Sequence, residues 1–191
     1  MALCFTHATA GYLAYEALRP AGAHRPGMLA AAVVASNAPD LDFLPGLVVG
    51  TPAVFHRGIT HTVVAAMMVA AIGWLVGRWR QPGGLSGSFC AALVGGAYAL
   101  HLLVDWVTVD AVPPAGAQFL WPFSSHYQHA PVAAFREIVI DPSGRAAFVA
   151  SLLGPSARGV WLAEVGQALA VVGLLALVRA LGRARVARLA G

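Results

Sequence analysis

The stretch Phe55–Gly77, FHRGITHTVVAAMMVAAIGWLVG, opens with His56, Arg57 and His61 and then runs almost wholly apolar. From Thr60 to Gly77 it approaches the roughly 20 helical residues that cross a bilayer core about 30 Å thick. Ser88 to Trp106 and Val160 to Leu181 do the same. Ala2 to Leu18 and Gly27 to Ala38 are apolar and helix-length but carry His7, Glu16 and Asn37, so they cross only if packed against the others. The expectation is an all-α integral membrane protein, a single domain over 1–191 with about five transmembrane helices near 2–18, 27–38, 60–77, 88–107 and 160–181.

Composition agrees, since 59% of the 191 residues are hydrophobic and 10% charged, far below the quarter or so of a soluble domain. The N-terminus has no basic residue ahead of its apolar part and no small-residue cleavage site, so it reads as a retained helix. Cys4 and Cys90 both lie inside apolar runs and give no disulfide framework.

All twelve basic residues are arginine, and their places matter more than the net charge of +4. Arg19 and Arg25, Arg78 and Arg80, and the tail RALGRARVARLAG fall at alternate helix ends, which the positive-inside rule makes cytoplasmic. The tail reads as a topology anchor near anionic lipid, with no nucleic-acid partner expected. Loops 39–59 and 110–159 are then non-cytoplasmic, and the second is long enough to hold an extended piece, a turn at Pro142–Gly144 and a surface helix.

With that topology Asp40, Asp42, His56, Arg57, His61, His101, Asp105, Asp110, His126, His129, Glu137 and Asp141 all gather on one side, where His7 also starts the first helix. Only His24 of the seven histidines lies opposite. In YALHLLVDWVT, His101 and Asp105 are four residues apart, on one helix face, and an ionisable pair within a span is a functional candidate. In SNAPDLDFLPG, Asp40 and Asp42 follow a Pro-ended helix. In HRGITH, Gly58 lets the backbone bend His56 back towards His61. Sites shared by imidazole and carboxylate suit Zn, Mn or Fe better than Ca or Mg. His126 and His129, with Glu137 and Asp141 beyond, complete that site or lie on its rim. Trp121, Phe123 and Tyr127 read as an interfacial aromatic belt, and Glu164 and Gln167 as hydrogen-bonding partners of neighbouring helices.

The ordered series THATAGY, PDLD, HRGITHT, HLLVD and FLWPFS, over Thr6 to Ser124, resembles the bacterial inner-membrane family of membrane-bound metal-dependent hydrolases, the YdjM-like proteins. Thr62 stands where that pattern has Ser, and VDAVPPAGAQ looks inserted before the last motif. The resemblance implies a multi-pass inner-membrane hydrolase using a divalent metal, zinc foremost, and carries His7, Asp40, Asp42, His56, His61, His101 and Asp105 over as its motif positions. Asp40 or Asp42 is then a candidate general base where it is not a ligand, and Arg57 a group that grips an anionic substrate. Position at the headgroup level points to an ester or phosphoester bond of a lipid-like substrate. The alternative is a non-catalytic metal-binding transporter or regulator. Lipid phosphatases with a phosphohistidine intermediate fit poorly, because their motif begins with lysine and this chain has none.

Overall fold

The computed structural model describes residues 4–19, 24–81, 84–108, 115–135 and 138–190, with side chains as far as 182. It is helical, with no strand among the described residues. The helices are α1 (Cys4–Leu18), α2 (Pro26–Asn37), α3 (Phe43–Val49), α4 (Val63–Arg80), α5 (Gly87–Trp106), α6 (Arg145–Leu153) and α7 (Pro155–Ala190). Short 3₁₀ turns lie at Pro39–Asp42 and Ile59–His61.

The starts of α2, α4 and α5 have local causes. Pro26 opens α2, where a missing N–H costs nothing. Thr62 accepts from the Ala65 N–H at the head of α4, and Ser86 from the Phe89 N–H at the head of α5. Among the described residues three helices are long and apolar enough to cross a membrane: Val63–Arg80, Gly87–Trp106 and, within α7, Pro155–Gly182. α1 and α2 have 15 and 12 residues, short of a full crossing, and pack on each other and on α5.

α5 is the centre of the bundle, touching α1, α2 and α4, while α7 rests on α1 and α6. Small residues allow the close approach. A Cβ on Gly95 would meet the Ala70 Cβ at 2.5 Å, and one on Gly11 would strike Ser36 and the Ala32 carbonyl. Gly11 is one turn beyond His7, so this contact holds the head of α1 against the end of α2. Buried Tyr15, Met28, Ala32, Ala35, Leu93 and Ala97 fill the interface of α1, α2 and α5.

Several boundaries differ from the sequence expectation. The region 39–59 is not a plain loop, because α3 follows the first 3₁₀ turn and ends at Gly50 with φ +88. The last helix begins at Pro155 rather than 160 and continues to Ala190 rather than stopping near 181, since nothing in RALGRARVARLA breaks a helix. In the long segment, α6 follows the turn at Pro142–Ser143 and packs Phe148 on Phe43, while the Arg145 guanidinium bonds the Leu47 and Val48 carbonyls at the end of α3. Among the described residues extended pairing there is limited to isolated bridges, such as Thr108 with Phe135. Asp110 and Glu137 lie outside the described residues, as do the side chains of Arg183, Arg185 and Arg188.

Candidate metal centre

The start of α1, the end of α2 with its 3₁₀ turn, the turn into α4 and the last turn of α5 meet at one end of the bundle. Tyr98 helps to fix this end by donating to the Thr60 carbonyl at 2.6 Å. His7, Asp40, His61, His101 and Asp105 converge there.

His101 Nδ1 lies 2.8 Å from the Ser36 carbonyl. A carbonyl only accepts, so Nδ1 carries the proton and Nε2 presents its lone pair. His61 Nδ1 lies 3.2 Å from Asp42 Oδ2 and 3.1 Å from Thr60 Oγ1, whose own hydroxyl donates to the same Asp42 oxygen at 2.8 Å. The proton of His61 therefore also sits on Nδ1. The two Nε2 atoms are 3.2 Å apart. Two nitrogen lone pairs facing one another at that distance repel unless a proton or a cation lies between them, and either is a positive charge that the surrounding carboxylates favour. For tetrahedral zinc with Zn–N of about 2.0–2.1 Å, the nitrogen–nitrogen edge is roughly 3.3 Å.

Two carboxylates extend the figure. Asp105 Oδ2 lies 3.3 Å from His61 Nε2 and 3.5 Å from His101 Nε2, and Asp40 Oδ1 lies 3.5 and 3.7 Å from the same atoms. These separations exceed the roughly 2.7–2.9 Å of a charge-assisted hydrogen bond and match the edges of a coordination shell. Asp105 Oδ1 and Oδ2, Asp40 Oδ1 and both ring nitrogens of His7 are buried without a hydrogen-bond partner. Burying carboxylate charge in that state is costly, and a divalent cation removes the cost. Two imidazole nitrogens with two carboxylate oxygens form a donor set suited to Zn, Mn or Fe. The buried Asp40, His61, His101 and Asp105 group can hold a metal ion.

The family model described as YdjM inner membrane protein matches residues 1–186. The chain belongs to the YdjM inner membrane protein family. No curated protein and no solved structure matches it. The match spans every residue of this centre, so its His/Asp cluster lies wholly within the YdjM region of the chain.

Asp42 stands behind the YdjM centre rather than in it. It accepts from His56 Nδ1 at 3.0 Å, from the Arg57 N–H at 3.2 Å and from the Thr60 hydroxyl, as well as holding His61. Burial opposes its ionisation, but the hydrogen bonds from His56 and His61 outweigh that and hold its carboxyl well below the usual carboxylate range. Burial alone would likewise depress His61, yet Asp105, Asp40 and Asp42 around it raise its pKa well above the ordinary imidazole value. The pocket is thus built for positive charge. Asp42, His56 and His61 form a second group within reach of an ion, in which His56 stacks on Phe43 at 4.0 Å with its Nε2 buried and unpartnered.

Arg57 adopts φ +62, a left-handed conformation that costs a non-glycine residue about 1–3 kcal/mol and is held by its N–H bond to Asp42. Its guanidinium donates to the Gly116 carbonyl at 3.4 Å. His126, His129 and Asp141 are exposed and are not drawn into the cluster, and His24 lies at the far end beside Tyr15. The sequence reading missed the Ser36 carbonyl, Thr60 and Tyr98 as supports, because a backbone acceptor has no side-chain signature. It gave Glu164 no tie to the site, but this buried residue accepts from the Thr6 N–H, immediately before His7.

Proposed function

We propose that this YdjM-family protein is a membrane-bound metal-dependent hydrolase that acts at the bilayer surface on an ester or phosphoester bond of a lipid-like substrate. The observation that carries the reading is the pair of Nε2 atoms 3.2 Å apart, closed into a four-cornered shell by Asp40 and Asp105. His61 and His101 would hold a divalent cation with fixed ring orientation, because Asp42 and the Ser36 carbonyl occupy their Nδ1 protons. Such an ion would supply Lewis acidity, lowering the pKa of bound water and polarising a scissile bond. Asp40, the most exposed of the four with its side chain 19% accessible, lies at the mouth of the site, where a substrate would approach the cluster.

Location favours hydrolysis over transport, since the ligands lie at helix ends rather than at the middle of the bundle, where a transport site belongs. Arg19 and Arg25 flank the ends of α1 and α2 away from the cluster, Arg78 and Arg80 close α4 at its far end, and Arg179 pairs with Glu16 near the end of α1. The positive-inside rule then makes that end cytoplasmic and the site non-cytoplasmic. Support for a lipid-like substrate comes from an apolar groove of about 930 Å³ between α2 and α4, with Cys90, Leu93 and Val94 of α5 in its lining. Its lining runs from His24 to Ala38, two residues short of Asp40, which suits an acyl chain whose polar end reaches the site.

The deciding experiment purifies the protein in detergent, measures bound metal, and assays phosphodiesters and carboxylic esters of graded chain length with the metal removed and restored. Metal-dependent turnover that His101→Ala abolishes supports the reading. Full metal occupancy with no turnover on any of these bonds overturns it.

A further inference from the structure

His7 is the buried group that the four-ligand shell does not use. It is 0% exposed, both its ring nitrogens lack hydrogen-bond partners, and its Nε2 lies 3.5 Å from Asp105 Oδ1 and 3.8 Å from Asp40 Oδ2. These are the second oxygens of the same two carboxylates whose first oxygens, Asp105 Oδ2 and Asp40 Oδ1, face His61 and His101. Each carboxylate therefore turns one oxygen to each side. The His7 ring is stacked on the His101 ring, centroids 3.7 Å apart and planes 21° from parallel. Both Nε2 atoms lie within 3.8 Å of the same two carboxylates, on rings one stacking distance apart. Paired metal ions in hydrolytic centres lie about 3.5–4 Å apart.

We propose that the centre holds two divalent cations, the second on His7 Nε2, Asp105 Oδ1 and Asp40 Oδ2, with Asp40 and Asp105 bridging the pair. This rests on the metal reading above. The second position has one nitrogen and two oxygens where the first has two of each, so it is the harder of the two and favours an ion such as Mn²⁺ or Fe²⁺ over Zn²⁺. Charge balance points to the class of substrate. One divalent cation neutralises Asp40 and Asp105, so a second leaves positive charge that Asp42 offsets only in part. An anionic group between the two ions, a phosphoester more than a neutral ester, satisfies that charge and is gripped on both sides.

The test uses the full chain in detergent, stripped of metal and titrated with Mn²⁺ alone. Two bound equivalents, with the resonance of isolated Mn²⁺ replaced by that of a spin-coupled pair, support the inference. His7→Ala and His7→Gln should each bind one equivalent and restore the isolated-ion signal, and His101→Ala should lose the tighter equivalent. If a His7 variant does not fold, the stoichiometry and coupling of the unaltered protein decide alone. One uncoupled equivalent, unchanged in the His7 variants, overturns the second position and leaves a single-metal centre standing. No bound equivalent overturns both this inference and the reading beneath it.

Discussion

Asp42 touches no proposed cation, so altering it separates orientation from ligation. Its carboxylate accepts from His56, the Arg57 N–H, Thr60 and His61, three of these four contacts falling on Oδ2. Asp42→Asn has one oxygen to offer. Placing that oxygen at the crowded position keeps Arg57, Thr60 and His61 bonded, and leaves the new amide to face His56, whose ring must change tautomer to accept. His61 then keeps its orientation but loses the charge assistance of its partner. Hydrogen bonds to a charged group contribute about 1.5–3 kcal/mol against roughly 0.5–1.5 for neutral ones. The difference of about 1.4 kcal/mol corresponds to tenfold weaker metal binding. Asp42→Ala removes the acceptor altogether and should weaken binding about 100-fold, the upper end of the effect of removing a group that orients a metal ligand. Competition of the purified variants against a chromophoric chelator reads these affinities, with a thermal melt confirming that each is folded. Equal affinity in the unaltered protein and Asp42→Ala would show that His61 needs no second partner, and the tautomer argument for the centre would fail with it.

Four further outcomes follow from the same geometry. Arg57→Lys keeps the charge but loses the planar fork, so metal content should hold while phosphoester turnover falls about tenfold, equivalent to roughly 1.4 kcal/mol; unaltered turnover at matched occupancy removes the substrate-gripping role. Ala31→Trp, which projects a large ring into the groove between α2 and α4, should raise KM for long-chain substrates several-fold and leave short-chain ones unaffected, and a uniform change for both would detach the groove from the site. Glu164→Ala leaves the Thr6 N–H at the head of α1 without this acceptor and should lower stability by about 1–3 kcal/mol, read as a drop in Tm in detergent. A cysteine at exposed Ser143 should react with an impermeant thiol reagent in intact cells while a reporter fused after Gly191 reads cytoplasmic; the reverse pattern inverts the orientation of the bundle.

The helices long and apolar enough to cross a membrane were legible because α4, α5 and α7 are almost continuous apolar runs, and length and hydropathy suffice to recognise such runs. The pairing of His101 with Asp105 was legible for a different reason, since helical geometry alone puts residues four apart on one face. Less could be read from Pro39 to Ile59. Its prolines and glycines mark turns, but α3 is stable only because Phe43 finds Phe148 from α6, more than a hundred residues away, and because Arg145 closes its last carbonyls. No local pattern announces a partner at that distance.

The division of labour between Asp40 and Asp42 shows where spacing stops being informative. In PDLD both acids look equivalent, and in HRGITH so do both histidines. A 3₁₀ turn advances about 120° per residue, so two positions apart lie about 240° around the axis and face different neighbours. Asp40 accordingly faces His7, His61 and His101 in the bundle, while Asp42 faces the loop that carries His56, Arg57 and Thr60. Once Asp42 is on that side, its acceptors draw the Arg57 N–H inwards, and the left-handed turn at Arg57 leads into the Ile59–His61 turn that sends His61 to the interior while His56 remains stacked on Phe43. The turn at Pro39–Asp42 thus sends its two acids to different neighbours, Asp40 to the cluster and Asp42 to Nδ1 of His61, and with Nδ1 so occupied it is Nε2 of His61 that faces His101, Asp40 and Asp105.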